Sequence, residues 1–196
     1  MKFGADPFAK NKFGINMHHV AAQGNEPAVM YFLLKEFDLS LLEKDDRGST
    51  PLHWATYSKS EVALQYLLSW LSEDEINEPD NDGLTALHLS VKSVSSAENL
   101  RAVRALLIQG ANRAAQDVKG KTALDLVSEL KNERLEAQLK DLLKEPSKYG
   151  CLLLKTPLKR INRSSTLSTF CSALVLTSYF FLFFCVLPGF KFMLFQ

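Results

Sequence analysis

The chain has 196 residues, 46% hydrophobic and 23% charged, with 23 Lys and Arg against 22 Asp and Glu. That length admits one domain and one further element. Residues 1–145 carry 17 basic and 22 acidic groups, a balance of −5, which excludes the basic surface that nucleic-acid binding needs. Three cysteines without metal-ligand spacing give no reason to expect disulfides or a zinc site.

A short phrase recurs along the chain. It reads Gly-Ile-Asn-Met-His-His from Gly14, Gly-Ser-Thr-Pro-Leu-His from Gly48, Gly-Leu-Thr-Ala-Leu-His from Gly83 and Gly-Lys-Thr-Ala-Leu-Asp from Gly120, at spacings of 34, 35 and 37 residues. A period in that range marks a solenoid. Each glycine supplies a positive-φ turn. Thr50, Thr85 and Thr122 follow two positions later, where a hydroxyl caps a helix N-terminus. Pro51 fits a first helical position, whose N–H has no helical partner. Leu52, Ala55, Leu87 and Leu124 then fall on the inner face of a short first helix.

A second helix follows in each unit, with inner faces read from Val29, Phe32, Leu33 and Leu34, from Val62, Leu67 and Leu68, and from Val103, Leu106 and Leu107. One unit of this size cannot bury its apolar side alone, so neighbours must stack. The Ser-rich stretch from Lys92 to Asn99 reads as a lengthened connection between the helices of the third unit. The acidic run Glu73, Asp74 and Glu75 reads as a solvated loop.

These units resemble the ankyrin repeat. Thr50 to Ala55, Thr-Pro-Leu-His-Trp-Ala, is the closest match, and Leu106 to Asn112 resembles the family's second-helix ending with its Gly-Ala-Asn turn. The resemblance covers residues 11–145. The first copy departs from it, with Asn16, Met17 and His18 where Thr, Pro and Leu are usual, and the last has Asp125 in place of His. Terminal repeats are commonly atypical.

Helical patterning continues through Leu135, Leu139, Leu142 and Leu143 to Pro146, which stops it. Residues 146–163 then hold five basic groups, Lys148, Lys155, Lys159, Arg160 and Arg163, and no acid. From Ser164 to Phe190 no residue is charged. Leu167 to Leu187 would span about 30 Å as a helix, the thickness of a bilayer's hydrocarbon core. It lacks the polar stripe of a soluble helix. Four basic residues precede it and only Lys191 follows, so the amino-terminal side is expected in the cytosol. The chain starts without an apolar signal segment, so no secretory signal peptide is expected, and for a complete chain the expected geometry is a tail anchor.

The expected architecture is therefore all-α: residues 1–10 an N-terminal extension, 11–145 an ankyrin-type solenoid of about four helix pairs, 146–165 a basic juxtamembrane linker, 166–188 a single transmembrane helix and 189–196 a short tail. Its expected location is a membrane, such as Golgi or ER, with the repeats in the cytosol.

No chemistry of catalysis stands out. His19, His53 and His88 occupy equivalent positions, one per unit, so stacking spreads them along a ladder. Metal ligands must converge, and the better reading is that each ring bonds backbone of the neighbouring turn. The His18-His19 pair is a weak signal by itself. No phosphate loop or nucleophile–base arrangement is present. No catalytic residue, metal or cofactor is expected. Binding is expected instead from a protein or peptide segment on the concave face. The residues placed there by position are Asp46, Arg47, Ser49 and Tyr57, then Asn81, Asp82, Leu84 and Lys92, then Lys119 and Lys121. The lipid bilayer is the second expected partner, through 166–188. Cys151, beside basic residues near the membrane, is a candidate for S-acylation. Cys171 and Cys185 read as small apolar residues of the membrane helix.

The order of parts carries a closer resemblance. Val20 to Pro27 reads Val-Ala-Ala-Gln-Gly-Asn-Glu-Pro, and Cys151 to Arg160 reads Cys-Leu-Leu-Leu-Lys-Thr-Pro-Leu-Lys-Arg. With the Phe-rich helix that follows, they resemble the amino-terminal part of ankyrin-containing protein palmitoyltransferases of the Asp-His-His-Cys type. The resemblance implies that the repeats recruit substrates. It implies no catalytic residue here, because no Asp-His-His-Cys quartet or zinc-holding cluster occurs in the sequence. The chain is expected to be a truncated product or fragment of such an enzyme, without acyltransferase activity of its own. The alternatives are a tail-anchored ankyrin adaptor and, ranked last, the cytosolic end of an ion channel.

Overall fold

A computed structural model describes residues 6–97, 99–130 and 132–144. The helices among them are α1 (Met17–Gln23), α2 (Pro27–Phe37), α3 (Pro51–Tyr57), α4 (Glu61–Trp70), α5 (Glu73–Ile76), α6 (Ala86–Ala97), α7 (Arg101–Ile108), α8 (Ala123–Val127) and α9 (Glu133–Lys144). The β-structure among the described residues is an isolated antiparallel bridge, Gln116 with Thr122. The first helices α1, α3, α6 and α8 stack in that order, and α2, α4, α7 and α9 each pack on their own partner. The all-α solenoid expected from the period is thus the fold.

Each first helix opens on a reciprocal cap. In the second unit, the N–H of Thr50 donates to His53 Nδ1 at 3.1 Å and the Thr50 hydroxyl lies 2.8 Å from the same nitrogen. Thr85 and His88 repeat this at 3.2 and 2.9 Å. In the first unit Asn16 takes the threonine's place: its Oδ1 accepts from the His19 N–H at 3.1 Å. The atypical Asn16 therefore keeps the cap. In the fourth unit Asp125 plays the histidine's part, accepting from the Thr122 N–H at 2.8 Å.

The other ring nitrogen of each histidine reaches the next unit. His19 Nε2 bonds the Ser49 carbonyl at 3.0 Å, His53 Nε2 that of Leu84 at 3.0 Å and His88 Nε2 that of Lys121 at 3.3 Å. All three rings are buried. The ladder reading of the histidines holds.

Between the rows lies one continuous core. Met30, Leu52, Leu67, Ile76, Leu87, Leu106 and Leu139 are its largest fully buried apolar side chains. Ala22, Ala55, Ala86 and Ala123 are fully buried too, and their small size lets the first helices come close. His18 stands where the next units have Leu52 and Leu87. Its Nε2 donates to the Leu39 carbonyl at 3.1 Å, but its buried Nδ1 has no partner.

Three details differ from the sequence reading. Val29, Phe32 and Val62 were expected inside, but they are 39%, 46% and 55% exposed. The inner positions of those helices are Met30 and Leu33 in α2, and Ala63, Leu64, Leu67 and Leu68 in α4. Both second helices are apolar on more than one side, so periodicity alone left the facing ambiguous.

The Ser-rich insertion is not a loop as far as Ala97: it lengthens α6 to 12 residues against 7 in α1 and α3. The acidic run also is helical. Ser72 and Glu75 cap α5, with the Ser72 N–H 2.7 Å from the Glu75 carboxylate, and acids suit a helix start.

Among the described residues, no helix is long and apolar enough to cross a membrane. The expected linker 146–165, membrane helix 166–188, tail 189–196 and Cys151 lie outside the described residues.

Two predictions follow from the packing. Leu52→Ala or Leu67→Ala costs roughly 2–5 kcal/mol, read as a lower urea midpoint with intact helical circular dichroism at low urea. The second concerns pH. Burial lowers the pKa of His18, His19, His53 and His88 below 6.5, with backbone hydrogen bonds to Leu39, Ser49, Leu84 and Lys121 opposing it. A depressed folded value means that unfolded chains bind protons first. Stability is full above pH 6.5 and drains as pH falls below it. The urea midpoint should stay level above about pH 7 and drop between about pH 6.5 and pH 5, with a shallower drop in His53→Gln. A midpoint that rises on acidification contradicts the assignment.

Candidate interaction face

Four turn tips line one edge of the stack, and all are built alike. Three residues before each turn glycine sits an Asp or Asn whose Oδ1 collects two backbone N–H groups. Asp45 holds those of Arg47 and Ser49 at 2.9 and 2.8 Å, Asp80 those of Asp82 and Leu84 at 3.0 and 2.8 Å, and Asp117 those of Lys119 and Lys121, both at 2.9 Å. Asn11 does the same for Phe13 and Ile15. The repeated Asp or Asn three positions before each glycine is visible in the sequence, but only the structure shows the two N–H groups that each one gathers.

The tips bond to one another through backbone. The Asp46 N–H donates to the Phe13 carbonyl at 3.1 Å, that of Asn81 to Arg47 at 2.9 Å and that of Val118 to Asp82 at 3.0 Å. At Gly48, which has φ +73°, an added Cβ would lie 2.5 Å from Asn81 Oδ1 and 2.9 Å from its backbone N. Glycine is needed there for both its φ and the closeness of the next tip.

The ten residues expected to meet a partner divide into two groups. Arg47, Asp82, Lys119, Asp46 and Lys92 are exposed, and Tyr57 is 73% exposed. Their side chains point outward from the tips or the first helices. The others serve the stack in part. Ser49 and Leu84 are half-buried, and their carbonyls accept from His19 and His53. Asn81 is exposed, but its side-chain amide donates to the Asp46 carbonyl at 3.0 Å. Lys121 offers its carbonyl to His88 and pairs with Glu129 at 2.6 Å.

One aromatic beside these residues was passed over in the sequence: Trp54. It is half-buried, its indole N–H donates to Asp45 Oδ2 at 2.9 Å, and its ring meets His19 edge-on at 6.0 Å between centroids. The buried capping site and the tip are thereby locked together.

The fourth unit makes the electrostatics local. The Lys121 and Lys119 N–H groups hold the Asp117 carboxyl below its ordinary range, with smaller help from Lys92. The Lys121 ammonium holds Glu129 down, and Glu129 in turn raises Lys121. The Lys121 and Glu129 side chains keep 45% and 54% of their surface in solvent, so the pairing shapes the surface charge more than the stability. Among the described residues no three His, Cys, Asp or Glu side chains converge as metal ligands would. The arrangement offers a rigid, mixed-charge surface with an exposed tyrosine, suited to holding a polypeptide segment.

At the amino-terminal end, an open groove of about 620 Å³ runs along α1 and the start of α2, lined mostly by apolar groups such as Met17, Val20, Ala21 and Val29. Val20 there is 58% exposed.

Comparison with known proteins agrees with this construction. The family model for ankyrin repeats in three copies matches residues 1–77, and that for the single ankyrin repeat matches residues 82–118. Inversin of Canis lupus familiaris is 32% identical over 124 residues, which cover 63% of this chain and 11% of inversin. Human inversin is 31% identical over the same length. The probable 26S proteasome regulatory subunit p28 of Saccharomyces cerevisiae is 32% identical over 89 residues, 45% of this chain and 37% of that protein. The chain thus spans only a small part of the inversins and over a third of the proteasome subunit. Capped helix pairs, linked tips and family matches agree: the repeat domain of this chain is an array of ankyrin repeats.

Proposed function

We propose that this chain is a membrane-tethered protein-interaction module. Its ankyrin array takes up a polypeptide segment on the concave face, and residues 166–188 fasten it to a bilayer with the repeats on the cytosolic side. The observation that carries the binding half is the outward row of Arg47, Tyr57, Asp82, Lys92 and Lys119 on a stack whose own polar groups are largely engaged. What supports the tether is the uncharged stretch from Ser164 to Phe190 behind four basic residues.

Within that reading, the chain is the substrate-recruiting end of an Asp-His-His-Cys protein palmitoyltransferase, without catalytic power itself. The support is the sequence from Cys151 to Arg160 and its place between repeats and apolar segment. An adaptor with no link to acyl transfer is the second reading. Transcript sequence beyond codon 196 separates the two. A cysteine-rich segment with that quartet supports the first, and a verified stop codon supports the second.

Two experiments test the halves separately. Flotation with liposomes should carry the wild-type chain, and Phe183→Arg should weaken insertion by about 2.5–3.5 kcal/mol. Unchanged flotation would remove the tether. For the face, Arg47→Glu with Tyr57→Ala and Lys92→Glu should change folding stability by no more than about 0.5 kcal/mol per site. Proximity labelling in cells should lose the polypeptides that the wild-type repeats mark. Identical labelling would leave the concave face without a role.

A further inference from the structure

Four histidines are buried in the array, and three of them are alike. In His19, His53 and His88, Nδ1 sits in a helix cap. It lies 2.6 Å from Asn16 Oδ1, 2.8 Å from Thr50 Oγ1 and 2.9 Å from Thr85 Oγ1, respectively. Each of these rings therefore has an acceptor beside Nδ1 when that nitrogen gains a proton.

His18 is the exception. It is fully buried, at the position that Leu52 and Leu87 hold in the next two units. Its Nε2 faces the Leu39 carbonyl at 3.1 Å, so Nε2 carries the hydrogen of the neutral ring. That bond joins α1 to the exit of α2, where Asp38 closes the helix with φ +50°. Nδ1 is buried and has no hydrogen-bond partner among the described residues. In the imidazolium it becomes a donor without an acceptor on a buried charge, a far costlier state than a bare lone pair. A place shaped for leucine thus holds a ring that fits only while neutral.

The surroundings do little to favour a charge there. His19, its neighbour on α1, opposes it, and Glu43, from the segment after α2, favours it. The Glu43 carboxylate is already engaged by Lys10 at 2.9 Å and by the Asn16 amide at 3.0 Å. On the helices packed against α1, Tyr31, Lys35 and Glu36 of α2 and Tyr57 of α3 are exposed. His53 of α3 is bonded at both nitrogens, and Glu61 of α4 pairs with Arg101 at 3.0 Å. The Tyr66 phenol of α4 is pushed up to about 12 by burial, so it too is neutral.

Three polar links across the first junction start on α1 or just behind it. His19 Nε2 bonds the Ser49 carbonyl at 3.0 Å, and the Ser60 hydroxyl donates to the Gln23 carbonyl at 2.9 Å. Asn25 Oδ1 accepts from the N–H groups of Val62 and Ala63, both at 2.9 Å. A helix that turns to bring His18 to water breaks them together.

We propose that His18 is an acid-sensitive release for the first repeat. Protonation drives the ring from the core, and α1 and α2 part from α3 and α4 while the second, third and fourth units stay stacked. Contacts in such a stack run between neighbours, so one junction can open before the others. Opening withdraws Phe13 and the first tip from the row of tips and bares the side of α3 that α1 covers. Burial holds the folded ring's pKa below 6.5, so the opened form binds the proton first. Closure is complete above about pH 6.5 and is lost as pH falls below it.

Hydrogen exchange on the full chain in mild detergent tests this, read by mass spectrometry and corrected for the intrinsic pH dependence of exchange. One proton gained on opening raises the opening constant up to about tenfold per pH unit. Between about pH 6.5 and pH 5.5, above the range where Asp and Glu titrate, protection of residues 17–37 should fall about tenfold more than that of residues 101–127. His18→Leu, which installs the residue of the next two units, should erase the excess. His18→Met, also uncharged, should do the same, so a single misfitting variant does not decide the matter. An equal fall in the two segments of the wild-type chain overturns the proposal. So does an excess that survives both substitutions, since the acid-sensitive group would then be His19.

Discussion

An imidazole with two differently occupied nitrogens ties each repeat to the next. Nδ1 sits in the cap of its own helix, and Nε2 bonds a carbonyl about one period further along. Local and tertiary structure are therefore made by the same side chain. If the cap fails, the ring is misdirected and the junction weakens with it. The arrangement is nearest-neighbour in character, so stability grows junction by junction. Its cost is three desolvated rings that must stay neutral, which links the integrity of the stack to proton activity.

The period was legible because its chemistry is local and repeats. A glycine with φ near +72° and a short capping residue can be read at each unit, and a ring three positions further on in the first three, without knowing what packs on it. The facing of α2 and α4 was harder. Val29, Phe32 and Val62 are as apolar as the residues that do enter the core, and spacing does not say which stripe is covered. The serines of α6 have little intrinsic liking for helix, but Val91 and Val94 are buried and anchor it to the core. Tertiary contact overrode propensity there.

The turn tips were legible by position and less so by what their groups bond to. Tip residues could be counted from the glycines, which located Arg47, Asp82 and Lys119. Counting did not reveal that the Asn81 amide is spent on the Asp46 carbonyl, or that Ser49 and Leu84 lend their backbones to histidines. Those demands exist only once units are stacked. Because the stack consumes these groups, the remaining side chains are displayed on a backbone with little freedom. Rigidity of that kind lowers the entropy lost when a segment is held.

The extended α6 has a consequence for how such a rod tolerates change. Its additional turns are added where the first helix meets the second, away from both the tips and the caps. The junctions on either side keep their spacing: His53 reaches Leu84 and His88 reaches Lys121 as though nothing had been inserted. Length is thereby uncoupled from pitch at this corner. Helical turns can be gained or shed there, giving the rod a lateral spur of adjustable reach while its neighbours remain in register.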